Sequence, residues 1–308
     1  MLYLNDVVSY LPARRRSVAD FAEELNLSPH MVGVYQKVYG IKNIAVAEDE
    51  SLQDLLDNAL ARLLAAGSVD TRQIKYIFHC HAAANVCPPE ADLVGGLKKK
   101  HGLQHAIAVG AALDQCATPL TVLTVADMLL KQEDDDAKIL VLTGELGFHH
   151  WLRHIENATI MGDAAAVCMV GKTGERNAVL ASAQRKFDLA AVQPPNVPVP
   201  VGATSYGDDL IQVVKEALQR ARLRIDDVAL ILIHNVNSIS WKFFARNFPC
   251  PLEKIYMDNV PKSGHCFTSD PFINYCDAVC EGRLKVGDYF IMVSVGTVST
   301  FAAVVVRH

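Results

Sequence analysis

The stretch Leu113–Leu130, LDQCATPLTVLTVADMLL, combines a short polar turn, a single cysteine and a long apolar segment. Cys116 lies where the polar turn ends, and Pro119 suits a first helical turn, where its missing N–H costs little. Apolar side chains would cover most sides of the helix that follows, which is typical of a helix inside a large domain. The stretch therefore predicts a buried helix that begins beside a thiol.

A thiol at the start of a buried helix has a chemical consequence. The free N–H groups of the first turn and the helix dipole favour the thiolate, which is the nucleophilic form of cysteine. Cys116 is therefore the first candidate for a catalytic residue. The competing interpretation is an ordinary buried cysteine, a common component of protein cores.

Composition and charge limit the classes of function. The chain has 308 residues, of which 51% are hydrophobic, so it can bury an extensive core in one large or two medium domains. A formal charge of −5 and a pI near 6.1 give no electrostatic reason to expect nucleic acid or an anionic membrane as a partner. No apolar run reaches membrane-spanning length, and the start lacks the order of a signal peptide. We expect a cytoplasmic protein.

The cysteine and histidine spacings do not predict a metal site. The chain has 8 cysteines and no CxxC pair, so free thiols are expected. His149, His150 and His154 lie close together, but no carboxylate or cysteine stands at an offset that would complete a metal-ligand set. We expect no metal ion.

Buried strands and helices alternate along the chain, in two halves with the same pattern. Each half has apolar strands separated by helices, and each closes with two apolar strands that flank a glycine. The segment Lys172–Gly207, rich in proline, glycine and polar residues, is interpreted as the connection. The predicted domains are residues 1–172 and 173–308. The predicted strands are Ile74–His81, Ala106–Ala111, Lys138–Leu146, Met161–Gly171, Val228–His234, Lys254–Asp258, Tyr289–Val295 and Thr300–Val306.

Several short motifs follow one another in a fixed order over nearly the whole chain. They are GIKNIA (40–45), DQCATP (114–119), GE (144–145), MGDAAA (161–166), IHNVN (233–237), KSGHC (262–266) and SVGTVSTFAAVVVR (294–307). In order and spacing they resemble the motifs of the ketoacyl synthase III group of condensing enzymes. The resemblance implies an α/β thiolase fold, with duplicated βαβαβαββ halves in a layered α-β-α-β-α architecture. The first half would carry the nucleophilic cysteine and the second the catalytic histidines.

The resemblance also implies residue roles. Cys116 would take an acyl group from a thioester, and His234 would be the histidine of the H-x-x-N loop that Asn237 closes. Asn237 would help to position substrate. Gly296 and Thr297 would lie at the oxyanion hole.

Further implications concern the rest of the fold. Gly162 and Asp163 match a structural turn. Cys87 and Pro88 would line the acyl pocket at the seam of a homodimer. Acyl-coenzyme A or acyl carrier protein would be the substrate and partner, without a resident cofactor.

Three departures from the family pattern predict a specialised enzyme. His265 stands where the family usually has an asparagine, which gives a Cys–His–His set. The carboxy-terminal loop reads Gly296–Thr297–Val298 instead of being glycine-rich. An early arginine that would contact a coenzyme A phosphate is absent, and only Lys42 is near.

The sequence favours one function and leaves two alternatives open. The first is acyl transfer to Cys116 followed by decarboxylative Claisen condensation with a malonyl-type thioester, in specialised metabolism. The second is an acyltransferase that makes an ester or an amide, with a histidine as general base. The third is a non-catalytic subunit that supports an active partner. The retained Cys116, His234 and His265 argue against the third function.

Overall fold

In the part of the chain that the structure describes, two five-stranded halves join edge to edge in one mixed β-sheet, and helices pack on the outer face of each half and between the halves. The computed structural model describes residues 1–66, 69–83, 86, 91–186, 206–296 and 300–308. Among these residues the strands are β1 (Leu2–Tyr10), β2 (Arg15–Ser17), β3 (Asn43–Ala45), β4 (Ile74–Cys80), β5 (Ile107–Ala111), β6 (Lys138–Glu145), β7 (His154–Ile155), β8 (Thr159–Ile160), β9 (Ala164–Gly171), β10 (Ala178–Lys186), β11 (Val228–Leu232), β12 (Ile255–Tyr256), β13 (Tyr289–Gly296) and β14 (Thr300–Arg307).

The described helices include both long packing helices and single turns. The α-helices are α1 (Pro29–Val34), α2 (Leu52–Ala66), α3 (Leu93–His101), α4 (Thr118–Leu130), α5 (His150–Arg153), α6 (Tyr206–Ala221), α7 (Ser238–Asn247), α8 (Val260–Ser263) and α9 (Asp270–Cys280). Short 3₁₀ turns cover Val18–Phe21, Thr71–Gln73, Gln115–Ala117, Ile225–Asp227, Leu252–Lys254 and Phe267–Ser269, and a π-helical turn covers Tyr35–Tyr39. None of the helices in the described ranges is long and apolar enough to cross a membrane.

The two halves of the sheet have the same topology. From the outer edge inward, the first half runs β5-β4-β6-β9-β1 and the second runs β12-β11-β13-β14-β10. In each half the outer three strands are parallel and the next pairings are antiparallel. The duplicated α/β unit expected from the strand and helix pattern is therefore present.

Helices occupy both outer faces and the space between the halves. α2 and α3 pack on the first half, and α6 and α7 pack on the second. α4 and α9 contact strands of both halves and share one hydrophobic cluster with them. This arrangement is the layered α-β-α-β-α order, and the central helices carry the site residues. α4 is less buried than its sequence suggests, since Val125 is 39% and Met128 is 61% exposed.

The central strands β1 and β10 were not predicted from the sequence. β1 contains Asn5 and Asp6, which interrupt its apolar alternation. β10 lies inside the segment interpreted as a connection, so that interpretation is wrong for Ala178–Lys186. These strands join the halves through Leu2–Val179 and Tyr3–Ala178. The predicted boundary at residue 172 falls between β9 and β10, and the division into two domains stays a prediction.

Candidate active site

Cys116 lies in a tight turn directly before α4, as the sequence indicates. The turn Gln115–Ala117 is 3₁₀, and Gln115 has a left-handed φ of 51°. Cys116 is buried, with 4% of its surface exposed. Its carbonyl accepts a 2.7 Å hydrogen bond from Ser294 Oγ on β13, which ties the nucleophile turn to the second half.

Gly296 packs directly against this turn. A Cβ at Gly296 would lie 2.4 Å from the Asp114 carbonyl oxygen, so the close approach of the two backbones requires glycine. The structure thus brings Gly296 to the nucleophile turn. Thr297 lies outside the described residues, so the predicted oxyanion role of this loop stays a prediction.

The His265 loop is held by backbone hydrogen bonds to the first half of the chain. His265 N–H donates to the Ile160 carbonyl at 3.1 Å, and Gly162 N–H donates to the His265 carbonyl at 2.9 Å. A Cβ at Gly162 would lie 2.1 Å from the Ser263 carbonyl oxygen, and Gly264 has a left-handed φ of 71°. These two glycines let the loops approach closely enough to fix the position of His265.

Asp163, the neighbour of Gly162, has the structural role that the motif implied. Its carboxylate pairs with the buried Arg153 at 2.7 and 3.0 Å and accepts backbone N–H groups of Ala47 and Gly147. The carboxylate is therefore paired and hydrogen-bonded within the protein, and Asp163 supports the turn rather than the chemistry.

The partner of His265 is Asp270, which the sequence reasoning missed. Asp270 Oδ2 accepts a hydrogen bond from His265 Nδ1, and the carboxylate is fully buried. The backbone N–H groups of Cys266 (2.8 Å) and Asn235 (2.5 Å) and the Asn235 side chain (3.1 Å) also donate to it. Asp270 is the first residue of α9, where the helix dipole favours a negative charge.

His265 is held in its charged form. Burial lowers the pKa of His265, but the Asp270 carboxylate and the neighbouring Cys116 raise it more strongly, to about 10. Cys116 is also a hydrogen-bond partner of the His265 ring. A cysteine, a histidine and a carboxylate in this order form a nucleophile, a base and the group that orients the base.

His234 lies beside this set as a neutral histidine. It is 2% exposed, its ring centre is 5.7 Å from that of His265, and its carbonyl accepts a 3.0 Å hydrogen bond from Trp241 Nε1. Burial lowers the pKa of His234 well below its ordinary value, and the positive His265 lowers it further. The structure therefore brings Cys116, His234 and His265 together, with His265 charged and His234 neutral.

Asn237 holds the start of α7 and the loop before it. Its side-chain oxygen accepts the Ser240 N–H at 2.8 Å and so caps α7, while its amide donates to the Ala158 carbonyl at 3.0 Å. Both ends of the amide are engaged within the protein. Asn237 therefore supports the His234 loop, and its role in positioning substrate stays a prediction.

A cavity of about 570 Å³ opens beside Cys116. Its lining is mostly apolar and comprises Ala82, Ala83, Gln115, Cys116, Phe148, Trp151, Leu152, Ile155, Met161 and Phe267. Such a cavity can hold the acyl part of a thioester. Cys87 and Pro88, predicted to line the acyl pocket, lie outside the described residues.

The wall of this cavity is held by a second buried carboxylate, Glu145 at the end of β6. It accepts the N–H groups of Ala82 at 2.8 Å and Ala83 at 2.9 Å. Burial raises the pKa of Glu145 to about 7, although these hydrogen bonds act in the opposite direction. Its role is to position the cavity wall.

The remaining histidine and cysteine expectations concern metals and disulfides. His154 bonds the Tyr35 hydroxyl at 2.6 Å, while the ring centres of His149 and His150 lie 4.3 Å apart with the rings tilted by 40°. Within the described ranges there is no group of three potential metal ligands. The cysteines described there are unpaired.

Some site residues carried only a weak signal in the sequence. The motif Ser269–Asp270–Pro271 reads as a helix start, and nothing in it points to His265. Ser294, Tyr206 and Glu145 reach the site from elements far away in the chain. A search for carboxylates close in sequence to His265 would have found Asp270, five residues later.

Residues 218–308 match the sequence model of the 3-oxoacyl-[acyl-carrier-protein] synthase III C-terminal domain. The β-ketoacyl-[acyl-carrier-protein] synthase III of Aquifex aeolicus is 23% identical over 281 residues, which is 87% of this chain and 88% of that protein.

Solved structures show the same fold. An acyltransferase, ChlB3, superposes with a TM-score of 0.86 at 16% identity, covering 99% of this chain and 97% of that one. The 3-oxoacyl-[acyl-carrier-protein] synthase III of Aquifex aeolicus gives a TM-score of 0.81 at 18% identity, with full coverage of both chains. The predicted thiolase fold is confirmed.

Proposed function

This chain resembles ketoacyl synthase III in fold over its whole length and in sequence over most of it, and from that premise we propose that it is an acyl-thioester transferase. An acyl group is taken onto Cys116 and passed to an oxygen or nitrogen acceptor. The observation that carries the proposal is the position of His265 between Cys116 and the Asp270 carboxylate. A histidine oriented in this way can act as the general base that an alcohol or amine requires.

The first step forms the acyl-enzyme. The Cys116 thiolate attacks the thioester carbonyl carbon, and the carbonyl oxygen becomes negative. When the tetrahedral intermediate collapses, the carbon–sulfur bond to the carrier breaks, and the carrier thiolate takes the proton of the His265 imidazolium. The product is acyl-Cys116, a free carrier thiol and a neutral His265 that still bonds Asp270.

The second step transfers the acyl group. Neutral His265 accepts the proton of an alcohol or amine while its oxygen or nitrogen attacks the acyl carbon of the Cys116 thioester. The bond from the acyl carbon to Cys116 breaks, which restores the thiolate beside the imidazolium. Asp270 stabilises the imidazolium at this point, since its carboxylate accepts the Nδ1 proton. Both steps proceed without a resident cofactor.

A specific observation favours decarboxylative condensation as the second candidate function. His234 and His265 lie with ring centres 5.7 Å apart, and both can donate hydrogen bonds. A malonyl-type thioester would lose carbon dioxide to give an enolate, whose oxygen could accept a hydrogen bond from each histidine. We rank this candidate second because donors alone suffice for the decarboxylation, whereas transfer to an alcohol or amine also uses the base that Asp270 orients.

We expect a suitable acyl thioester to add its acyl mass to Cys116 alone. The reason is that Cys116 has the imidazolium of His265 beside it, whereas burial raises the pKa of Cys80, Cys168 and Cys266. Intact-protein and peptide mass spectrometry would measure the label.

The exposed Cys280 provides a matched control for this labelling. Cys280→Ala should be labelled like the wild type, and Cys116→Ala should not be labelled. Wild-type labelling of Cys116→Ala would contradict the assignment, and an unlabelled wild type with all carriers would favour the non-catalytic subunit.

Acyl-coenzyme A or acyl carrier protein is the proposed donor, and we propose a homodimer as the assembly. β5 is an edge strand with β4 as its neighbour, and it exposes Ile107 (57%) and Val109 (40%). An exposed apolar edge strand tends to pair with another chain.

We expect light scattering to give the mass of a dimer at micromolar concentration. The double substitution Ile107→Lys with Val109→Lys should shift the mass to that of a monomer, because the charges oppose pairing at β5. A wild-type monomer, or a stable complex only with a sister chain, would contradict the homodimer.

A further inference from the structure

Tyr206, at the start of α6, directs its hydroxyl at His234. The hydroxyl oxygen lies 3.2 Å from His234 Nε2, and the Tyr206 ring packs 5.4 Å from that of Phe301. Tyr206 is 45% exposed as a whole, but its hydroxyl end meets His234, which is only 2% exposed. Sequence reasoning gave Tyr206 no role, and neither step above uses it.

The hydrogen-bond pattern of His234 indicates which atom donates. His234 is neutral, so one ring nitrogen carries a proton and the other does not. Its Nδ1 is buried without a partner among the described residues. A buried N–H group without an acceptor is rarer than an unused acceptor, so the proton belongs on Nε2, which donates to the Tyr206 oxygen. The phenolic proton of Tyr206 is then available to a third group.

That third group lies on the side of Cys116. The Tyr206 hydroxyl meets His234, the rings of His234 and His265 lie 5.7 Å apart, and Cys116 bonds the His265 ring, so the hydroxyl and the thiol belong to one cluster of side chains. Burial of its hydroxyl end raises the pKa of Tyr206, so the residue acts as a hydrogen-bond donor and not as a base. Because the Tyr206 oxygen accepts a hydrogen bond from His234, its O–H group is polarised and becomes a stronger hydrogen-bond donor.

We propose that Tyr206 is a further catalytic residue: its hydroxyl, aligned by His234 Nε2–H, donates a hydrogen bond to the thioester carbonyl oxygen as Cys116 attacks. The inference rests on the proposed function, since it needs a thioester at Cys116. The proton stays on the phenol throughout, and the negative charge returns to the leaving thiolate when the intermediate collapses. His234 is then a positioning residue that acts through Tyr206.

The test is Tyr206→Phe, which keeps the ring against Phe301 and removes only the hydroxyl. We expect the maximal rate of Cys116 acylation, followed by quenched-flow mass spectrometry, to fall about 10²–10³-fold with little change in half-saturation. Alkylation of Cys116 by iodoacetamide should keep its wild-type rate and pH profile, because that reaction forms no oxyanion.

Tyr275→Phe is the matched control. The Tyr275 hydroxyl bonds Asn177 at 2.7 Å away from the thiol, so its loss should lower the unfolding temperature and leave acylation unchanged. Wild-type acylation by Tyr206→Phe would overturn the inference while leaving the proposed function intact. Failure of the wild type to acylate, despite normal alkylation, would instead overturn the proposed function.

A second variant tests the role given to His234. If His234 acts through Tyr206, adding His234→Asn to Tyr206→Phe should slow acylation by less than about threefold more, although His234→Asn alone is slow. If the rate reductions of the two single variants multiply in the double variant, His234 acts independently of Tyr206, and the proposed alignment is overturned. Thermal unfolding of each variant separates these outcomes from loss of fold.

Discussion

The variant His265→Asn is expected to transfer its acyl group to an alcohol or amine about 10²–10⁴-fold more slowly than the wild type. Asparagine can donate a hydrogen bond but cannot accept a proton near neutral pH, so the base of the second step is lost. The measurement is single-turnover transfer from enzyme that has been acylated by long incubation, since the first step also uses the His265–Cys116 contact.

The same variant distinguishes the two candidate functions. In a condensing enzyme His265 serves as a donor, so His265→Asn should retain most of the malonyl decarboxylation. A wild type that decarboxylates malonyl thioesters, together with an active His265→Asn, would replace acyl transfer by condensation. His101→Asn is the matched control, because His101 also pairs with a carboxylate, Asp57, but lies on α3. It should leave every rate unchanged.

The variant Asp270→Asn is expected to lower the rate of transfer by about 10⁴, the size of loss seen when the carboxylate of a catalytic triad becomes an amide. The amide can present an N–H to His265 Nδ1 and so favour the wrong tautomer of the ring, and it cannot stabilise the imidazolium. Measurement of both steps in Asp270→Asn and in Asp57→Asn would show whether the loss is specific to this pair. Equal rates in the two variants would contradict the triad.

The stability of Asp270→Asn should depend on pH in a defined direction. The folded-state pKa of His265 is raised from 6.5 to about 10, so its pairing stabilises the folded protein fully below pH 6.5 and loses that effect as the pH rises through about 10. Removing Asp270 should therefore reduce the free energy of unfolding more at pH 6 than above pH 10. A difference between wild type and variant that grows with pH would contradict this assignment of charge.

The thiol at a helix start and the duplicated strand pattern could be predicted from the sequence. Both are local signals, because a period of apolar side chains and a proline in a first turn depend on neighbours within a few residues. For the same reason the replacement of asparagine by His265 in KSGHC was visible, and it pointed to an unusual site. The order of the motifs also indicated the family resemblance and, with it, the fold.

The strands that join the halves could not be predicted. β1 carries Asn5 and Asp6 in its middle, and β10 ends in Gln184, Arg185 and Lys186. Their alternation is weak, and they are strands because β9 and β14 supply backbone hydrogen bonds along their length. That support comes from residues far away in the chain, so no local pattern records it.

The chemistry of the site was decided by tertiary contacts. Cys116, His234 and His265 were named from the sequence, but as a symmetric pair of histidines facing a thiol. Only the fold places Asp270 on His265 and Tyr206 on His234. The Asp270 carboxylate raises the pKa of His265, whereas burial and the positive His265 lower the pKa of His234. The physical reason is that burial penalises both charged rings, and a buried carboxylate offsets this penalty for His265 alone.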